Sequence, residues 1–358
     1  MDTARPWLAS ALCGDAGSLP EPSDDAEELL AVAEEEGVVA LVAQRLAAAP
    51  TSRVKAAFAS RARAIAAASL FRDAECRRVY RLLASEGIAP LILKGYALGF
   101  WLYPAPYLRE TADFDVLFES ADQARRAATI LRAQGYAGGS YFGSESHEAT
   151  VRRQLTPALT LDVDLHWRLF NFPGFSAVLP TAQLFPEAIQ IPAFDARARG
   201  LNAGHAMLHA CLHRAMNLHM GVGDRLKWLY DLHLLADRLS AEDWNRVLDV
   251  CGKHRVSTFC VDALRATTET FGTEFPERAF REMERLAGTE GIDARRLESW
   301  RYMQRLGVSR IPTFGGRMRW FLHKAFPPLE YLRSFYGSDL SWWQLLIERG
   351  RRLVWRIR

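Results

Sequence analysis

Apolar positions over the first ~85 residues recur at helical spacing. This stretch is rich in Ala, Leu, Glu and Arg, has no Gly-Pro punctuation after Pro22, and breaks at Pro50-Thr51-Ser52. Ser23-Asp24-Asp25, just before AEELLAVAEEE, supplies an N-cap and acids for a first helical turn. Two or three amphipathic helices are predicted, ending near Gly87.

The pattern then changes. IAPLILKG is a short apolar run stopping at Gly95, which reads as a buried strand entering a turn. YALGFWLY resumes a helix that Pro104 and Pro106 end. FDVLFE reads as a second strand, ADQARRAATILRAQG as a helix closed by Gly135, and TPALTLDVDLHWRLF contains a further strand. From about residue 200, GHAMLHACLHRAMNLHM, DRLKWLYDLHLLADRL and AEDWNRVLDVCGKH return to helical spacing. The remainder is rich in Trp and Arg, with helices interrupted at Pro312 and Pro327-Pro328. The expectation is an α/β (α+β) core with a mixed sheet at 87–198, flanked by helical regions at 1–86 and 199–358.

Composition adds limits rather than a function. The 358 residues are 49% hydrophobic and 24% charged, with a net charge of +3 spread along the chain, so no concentrated basic stripe announces nucleic acid. Five widely spaced cysteines without a CxxC pair fit reduced thiols in a cytoplasmic protein. No apolar stretch approaches the length of a membrane span, and MDTARPWLASALC does not read as a secretory signal.

The chemistry concentrates in two strands. In Asp113-Phe114-Asp115-Val116-Leu117-Phe118, alternation puts the two carboxylates on one face and Phe114, Val116 and Phe118 on the other. Like charges about 7 Å apart repel and ask for a cation, and oxygen-only ligation points to magnesium or manganese. Leu161-Asp162-Val163-Asp164-Leu165-His166 repeats the pattern, with Asp162, Asp164 and His166 on the polar face. Side by side, the strands would bring three or four carboxylates together, as two-metal phosphoryl transfer requires. Lys94-Gly95 stands at a strand-to-helix turn, where backbone N–H groups and an ammonium can meet phosphates. Arg109 is a candidate for the outer phosphates. Taken singly, an Asp-x-Asp strand is more often a solvated edge and a Lys-Gly more often a turn.

LKGYALGFWLYPAPYLRETADFDVLFE, LDVDLHWRL and RLKWLYDLHLLA together resemble the uncharacterised nucleotidyltransferase family of the DNA polymerase beta-like superfamily, over roughly residues 30 to 290. The resemblance implies a minimal nucleotidyltransferase core with Asp113 and Asp115 as metal ligands and Asp164, rather than Asp162, as the third carboxylate. It implies Mg2+ or Mn2+ and an NTP, ATP foremost, with NMP transfer to a hydroxyl or phosphate. Superfamily members carry Gly-Ser or Gly-Gly about a dozen residues before the Asp pair; here Tyr96 follows Gly95, and Gly95 and Asp113 are 18 apart. Some relatives lie beside genes for ribosomally made peptides, lasso peptides included, which suggests a peptide or small-molecule acceptor. Neither nucleic acid nor membrane is expected as a partner. Two rivals remain: a toxin-type enzyme modifying tRNA or protein, and a non-catalytic nucleotide- or peptide-binding module.

Other features carry blander readings. His205, His209 and His213 share one helical face, more simply a packed stripe than a zinc site, although His213 or Asn217 could meet the nucleotide. Lys227 is a further NTP-binding candidate, and His166 either orients Asp164 or touches a phosphate. Asp231, inside an apolar stretch, needs a partner, with Arg225 or Lys227 available locally. The tail SWWQLLIERGRRLVWRIR is expected to dock its Trp and Leu residues on the body and leave its arginines in water.

Overall fold

The computed structural model describes residues 3–13, 25–139, 141–142, 146–222, 224–336 and 340–357. Four helices open it: α1 (Ala4–Cys13), α2 (Ala26–Glu36), α3 (Val39–Leu46) and the 33-residue α4 (Arg53–Ser85). This is more than the two or three expected. The break at Pro50 is where α3 gives way to α4, and Ser52 caps α4 by accepting the Lys55 N–H at 3.1 Å. Asp25 holds the N-cap position of α2 without a side-chain bond, while Ser23 and Asp24 lie outside the described residues.

The sheet elements follow: β1 (Leu91–Ile92), α5 (Lys94–Trp101), β2 (Asp113–Leu117), α6 (Ala121–Ala133), β3 (Ala137–Gly138), β4 (Glu148–Thr156), β5 (Leu159–His166), α7 (Thr181–Leu184), β6 (Ile189–Gln190) and β7 (Arg199–Gly200). Among the described residues they form one mixed sheet in the order β3-β4-β5-β2-β1-β7-β6. The β2–β5 and β1–β7 pairs are parallel and the rest antiparallel. The sequence pattern showed β1, β2 and β5; it did not show β4, nor the two-residue strands β3, β6 and β7.

Alternation dictates what each face of the sheet does. Phe114 and Val116 of β2 and Leu161, Val163 and Leu165 of β5 point to one side. There they pack on Val79, Tyr80 and Leu83 of α4 and on Ala124, Ala127 and Leu131 of α6. The aspartates therefore face the other way. That second face is covered by α8 (Ala203–Leu218), whose N-cap Asn202 accepts the His205 N–H at 2.9 Å, and by α9 (Leu226–Ala236). Helices α10 (Ala241–His254), α11 (Ser257–Phe271), α12 (Glu277–Gly288) and α13 (Trp300–Ser309) continue this layer. Their core joins that of α1–α3, so Leu8, Leu12 and Val42 are buried in one cluster with Leu208, Leu212, Phe259 and Leu264.

The five cysteines are free thiols, Cys13 exposed and the others buried. The chain closes with α14 (Phe314–Ala325), α15 (Leu329–Tyr336) and α16 (Trp342–Ile357); Pro312 precedes α14 and Pro327-Pro328 separates it from α15, as expected. Only part of the tail docks. Leu345 is buried, but Trp342 and Trp343 are exposed, against the expectation that the Trp side chains pack on the body. No described helix is long and apolar enough to cross a membrane.

Candidate active site

Strands β2 and β5 run parallel in a register that pairs Asp113 with Asp162 and Asp115 with Asp164. Equal parity across a parallel pair puts all four carboxylates, and His166, on one face. Asp115 is the centre of this face and is 2% exposed. Its Oδ1 receives Lys94 Nζ at 2.5 Å and lies 2.8 Å from His166 Nε2. Asp164 accepts the Thr150 hydroxyl at 2.6 Å, a bond made across the antiparallel β4–β5 pair. Asp115, Asp164 and His166 each offer a ligand atom, all within 4.8 Å of one another.

The electrostatics separate the three carboxyls. Burial alone would raise Asp115, but the Lys94 ammonium and His166 beside it hold it well below the usual carboxylate range. Burial and the charge of Asp115 push Asp164 up to about 6. The same two causes raise Asp113. Burial opposes the charge on Lys94, and Asp115 overcomes it, so the lysine stays protonated. One carboxylate is thus already neutralised by a cation, and two are held in an environment that disfavours their charge.

The fourth carboxylate does something else. Asp162, two residues along the same face, receives Arg152 Nε and Nη2 at 2.5 and 2.7 Å in an exposed pair and stays out of the cluster. Its place is taken by residues that the sequence reading passed over. Glu148 Oε2 lies 3.1 Å from His166 Nδ1 and 3.3 Å from His147 Nε2, so His166 bridges Glu148 and Asp115. The signal was available in β4, where Ala149 and Val151 point inward while Glu148 and Thr150 share the face of Asp164.

The turn from β1 into α5 delivers Lys94. Its backbone is left-handed, with φ of 51°, an arrangement a non-glycine residue adopts at a cost of about 1–3 kcal/mol. Gly95 follows because a Cβ there would stand 2.7 Å from the guanidinium carbon of Arg109.

Arg109 departs from the expectation of a free phosphate ligand. It is buried, donates from Nε and Nη2 to the two oxygens of Asp231 at 2.7 Å each, and gives Nη1 to the Glu110 carbonyl at 2.9 Å. Tyr103 adds its hydroxyl to Asp231 at 2.7 Å. The partner of Asp231 is therefore Arg109, 122 residues away, and neither Arg225 nor Lys227. A fork-to-fork pair satisfies a buried carboxylate better than a flexible lysine one turn away.

A cavity of about 350 Å³ opens between this face and helices α5, α8 and α9. Lys94, Gly95, Asp113 and Asp115 line one side, and His213, Asn217, Lys227 and Trp228 the other. Arg109 and Asp231 show at its wall, as does Arg225. Burial, with the charges of Arg109 and Arg225 behind it, lowers Lys227 to about 8. His213, packed edge-on to Trp228 at 5.7 Å, is lowered to about 3 by burial and is neutral near pH 7. His209 is buried against Phe170, and His205 lies 3.7 Å from Glu187. Among the described residues no three-ligand group includes any of the three stripe histidines.

A family described as uncharacterised nucleotidyltransferase matches residues 22–272, more than half of the chain. The chain belongs to that nucleotidyltransferase family. No curated protein matches it. A nucleotidyltransferase takes an NTP as substrate, and the match spans α2 through α11, the elements that build both walls of the cavity. The donor set of this nucleotidyltransferase fits a hard divalent cation. Asp113 and Asp164 are half-buried carboxylates whose ionisation burial and the charge of Asp115 oppose, and a cation beside them relieves that penalty.

Proposed function

We propose that this nucleotidyltransferase moves a nucleoside monophosphate from an NTP, ATP foremost, to a hydroxyl or phosphate of a peptide or small-molecule acceptor. A bond forms between the acceptor oxygen and the α-phosphorus, the bond to the β-phosphate oxygen breaks, and pyrophosphate leaves. The observation that carries this reading is the in-register parallel pair of β2 and β5, which gives Asp113, Asp115 and Asp164 a common face of the sheet, with Asp113 and Asp115 lining the cavity. In this reading residues 87–198 are the catalytic core and the helical regions 1–86 and 199–358 close around it.

Asp113, Asp115 and Asp164 would hold Mg2+ or Mn2+, which when bound lowers the pKa of an attacking hydroxyl and neutralises the triphosphate. Lys94 and Lys227, from opposite walls, supply the charges that meet the outer phosphates, with the free N–H groups at the start of α5 behind them. Neutral His213 and Trp228, set edge-on to one another, offer aromatic surface for the base. His166 fixes one oxygen of Asp115 and leaves the other free, an orienting role of the kind that partners behind a metal ligand perform. Arg109 acts by holding the approach to β2 against α9 rather than by touching phosphate. Positioning and electrostatics then supply most of the rate.

Incubation with α-phosphate-labelled NTPs, Mg2+ or Mn2+ and pools of peptides and small molecules should move label into an acceptor and release pyrophosphate. Asp113→Asn should lower this by about a thousandfold or more. Undiminished pyrophosphate release from that variant would sink the proposal.

A further inference from the structure

The C-terminal helices bring together two properties that the nucleotidyltransferase reading does not use. The first is unburied apolar surface. Helix α14 buries none of its residues, although Phe314, Met318, Phe321 and Leu322 fall at i, i+4, i+7 and i+8 on one face. Phe314 is 77% exposed, Phe326 just beyond the helix 79%, and Trp343 at the start of α16 70%. Trp342 and Ile347 of α16 are exposed as well. Among the described residues before α14, large exposed apolar side chains are confined to two short pairs, Leu70-Phe71 and Met220 with Val222. A concentration of this kind marks an interaction surface rather than ordinary scatter.

The second property is charge. Residues 311–358 contain nine Lys or Arg and three Asp or Glu, a net charge of +6, whereas the whole chain carries +3. The first 310 residues are therefore net −3, and the basic character of the protein belongs to its last helices. This segment also lies wholly outside the family match, which ends at residue 272.

We propose that α14–α16 form a peripheral docking surface for an anionic phospholipid membrane. Phe, Trp, Met, Leu and Ile side chains on an amphipathic helix partition into the boundary between headgroups and acyl chains, and flanking cations add attraction to acidic headgroups. A second copy of the chain is a poorer occupant, because pairing this segment with itself brings two stretches of net +6 together. Nucleic acid would use the cations and the rings but leave Met318, Leu322 and Ile347 in water. The surface lies on the membrane and does not cross it, since no described helix is long and apolar enough to span. Docking would hold the active site beside acceptors that are themselves lipid-bound or membrane-associated.

The test is flotation of the full-length protein with vesicles of phosphatidylcholine alone and with about one third phosphatidylglycerol. The expected result is flotation with the acidic vesicles only, release at high salt, and a blue shift of tryptophan emission on binding. The double variant Phe326→Glu, Trp343→Glu alters only exposed side chains, so it should fold normally and bind about tenfold or more weakly. Arg319→Glu should weaken binding without altering thermal stability. Equal binding to both vesicle types, or no binding to either, overturns the proposal. So does a concentration-dependent dimer, or a complex with RNA or DNA, that these substitutions abolish while vesicle binding persists.

Discussion

Lys94 Nζ and Asp115 Oδ1 lie 2.5 Å apart at the floor of the cavity, and this ion pair is what keeps the central carboxylate charged in the absence of a metal. Breaking a buried pair from one side leaves an uncompensated charge. Lys94→Met should therefore destabilise the metal-free protein by about 3 kcal/mol. Because a divalent cation beside Asp115 replaces the lost charge, Mg2+ should raise the melting temperature of the variant more than that of the wild type. Thermal melts with and without Mg2+ decide this; equal gains would mean that Asp115 does not face the cation.

Asp164 should trade stability for function. Its carboxyl titrates near 6 in the folded chain instead of at 3.8, because burial and the charge of Asp115 oppose ionisation. The penalty is fully present above the folded pKa, shrinks as pH falls through 6, and is gone below 3.8. Asp164→Asn should thus stabilise the metal-free protein by about 1–2 kcal/mol near neutral pH and by little near pH 4, while abolishing transfer. Denaturant titrations in EDTA at both pH values check the sign. A destabilised variant near neutrality would show that Asp164 is already paired in the metal-free state.

The split between what the chain announced and what it concealed follows from interaction range. That Asp113 and Asp115 share one face of their strand, and Asp162 and Asp164 one face of theirs, was legible because period-two alternation is a local property, and the register of β2 on β5 needed only that both apolar faces seek the same core; alternation did not choose between Asp162 and Asp164. Strand β4 was not legible, since Thr, Arg and Gln at its exposed positions hid the inward Ala149 and Val151, and with it went Glu148 and His147. The two-residue strands β3, β6 and β7 are held by their neighbours in the sheet rather than by any pattern of their own. Arg109 illustrates the same limit. Spacing placed it near the Asp pair, correctly, but its bond to Asp231 spans 122 residues and could not be read from either segment.

Lys227 should impose a basic limb on nucleotide affinity. Burial and its cationic neighbours lower it to about 8, and the protonated form is the one that attracts phosphate. As pH rises through about 8 the ammonium is lost and the KM for NTP should climb, with kcat changing less. Lys227→Arg keeps the charge across this range and should remove the limb. An unchanged KM profile in the arginine variant would move the titration to another group.

Arg109 and Asp231 should behave as a structural unit rather than as a phosphate clamp. Either Arg109→Met or Asp231→Leu strands a buried charge and should cost about 3–5 kcal/mol, whereas the double variant should cost clearly less than the sum. Arg109→Lys keeps the charge yet loses the bidentate fork, so it should still destabilise. Gly95→Ala reaches the same unit from the other side, because its Cβ would meet the guanidinium at 2.7 Å and displace it from Asp231. The discriminating measurement is a double-mutant cycle in stability, run beside the KM for NTP of Arg109→Lys. Strong coupling in stability with a nearly unchanged KM fits the fold-holding role. Additive stability changes with a KM raised about a hundredfold would return Arg109 to the triphosphate.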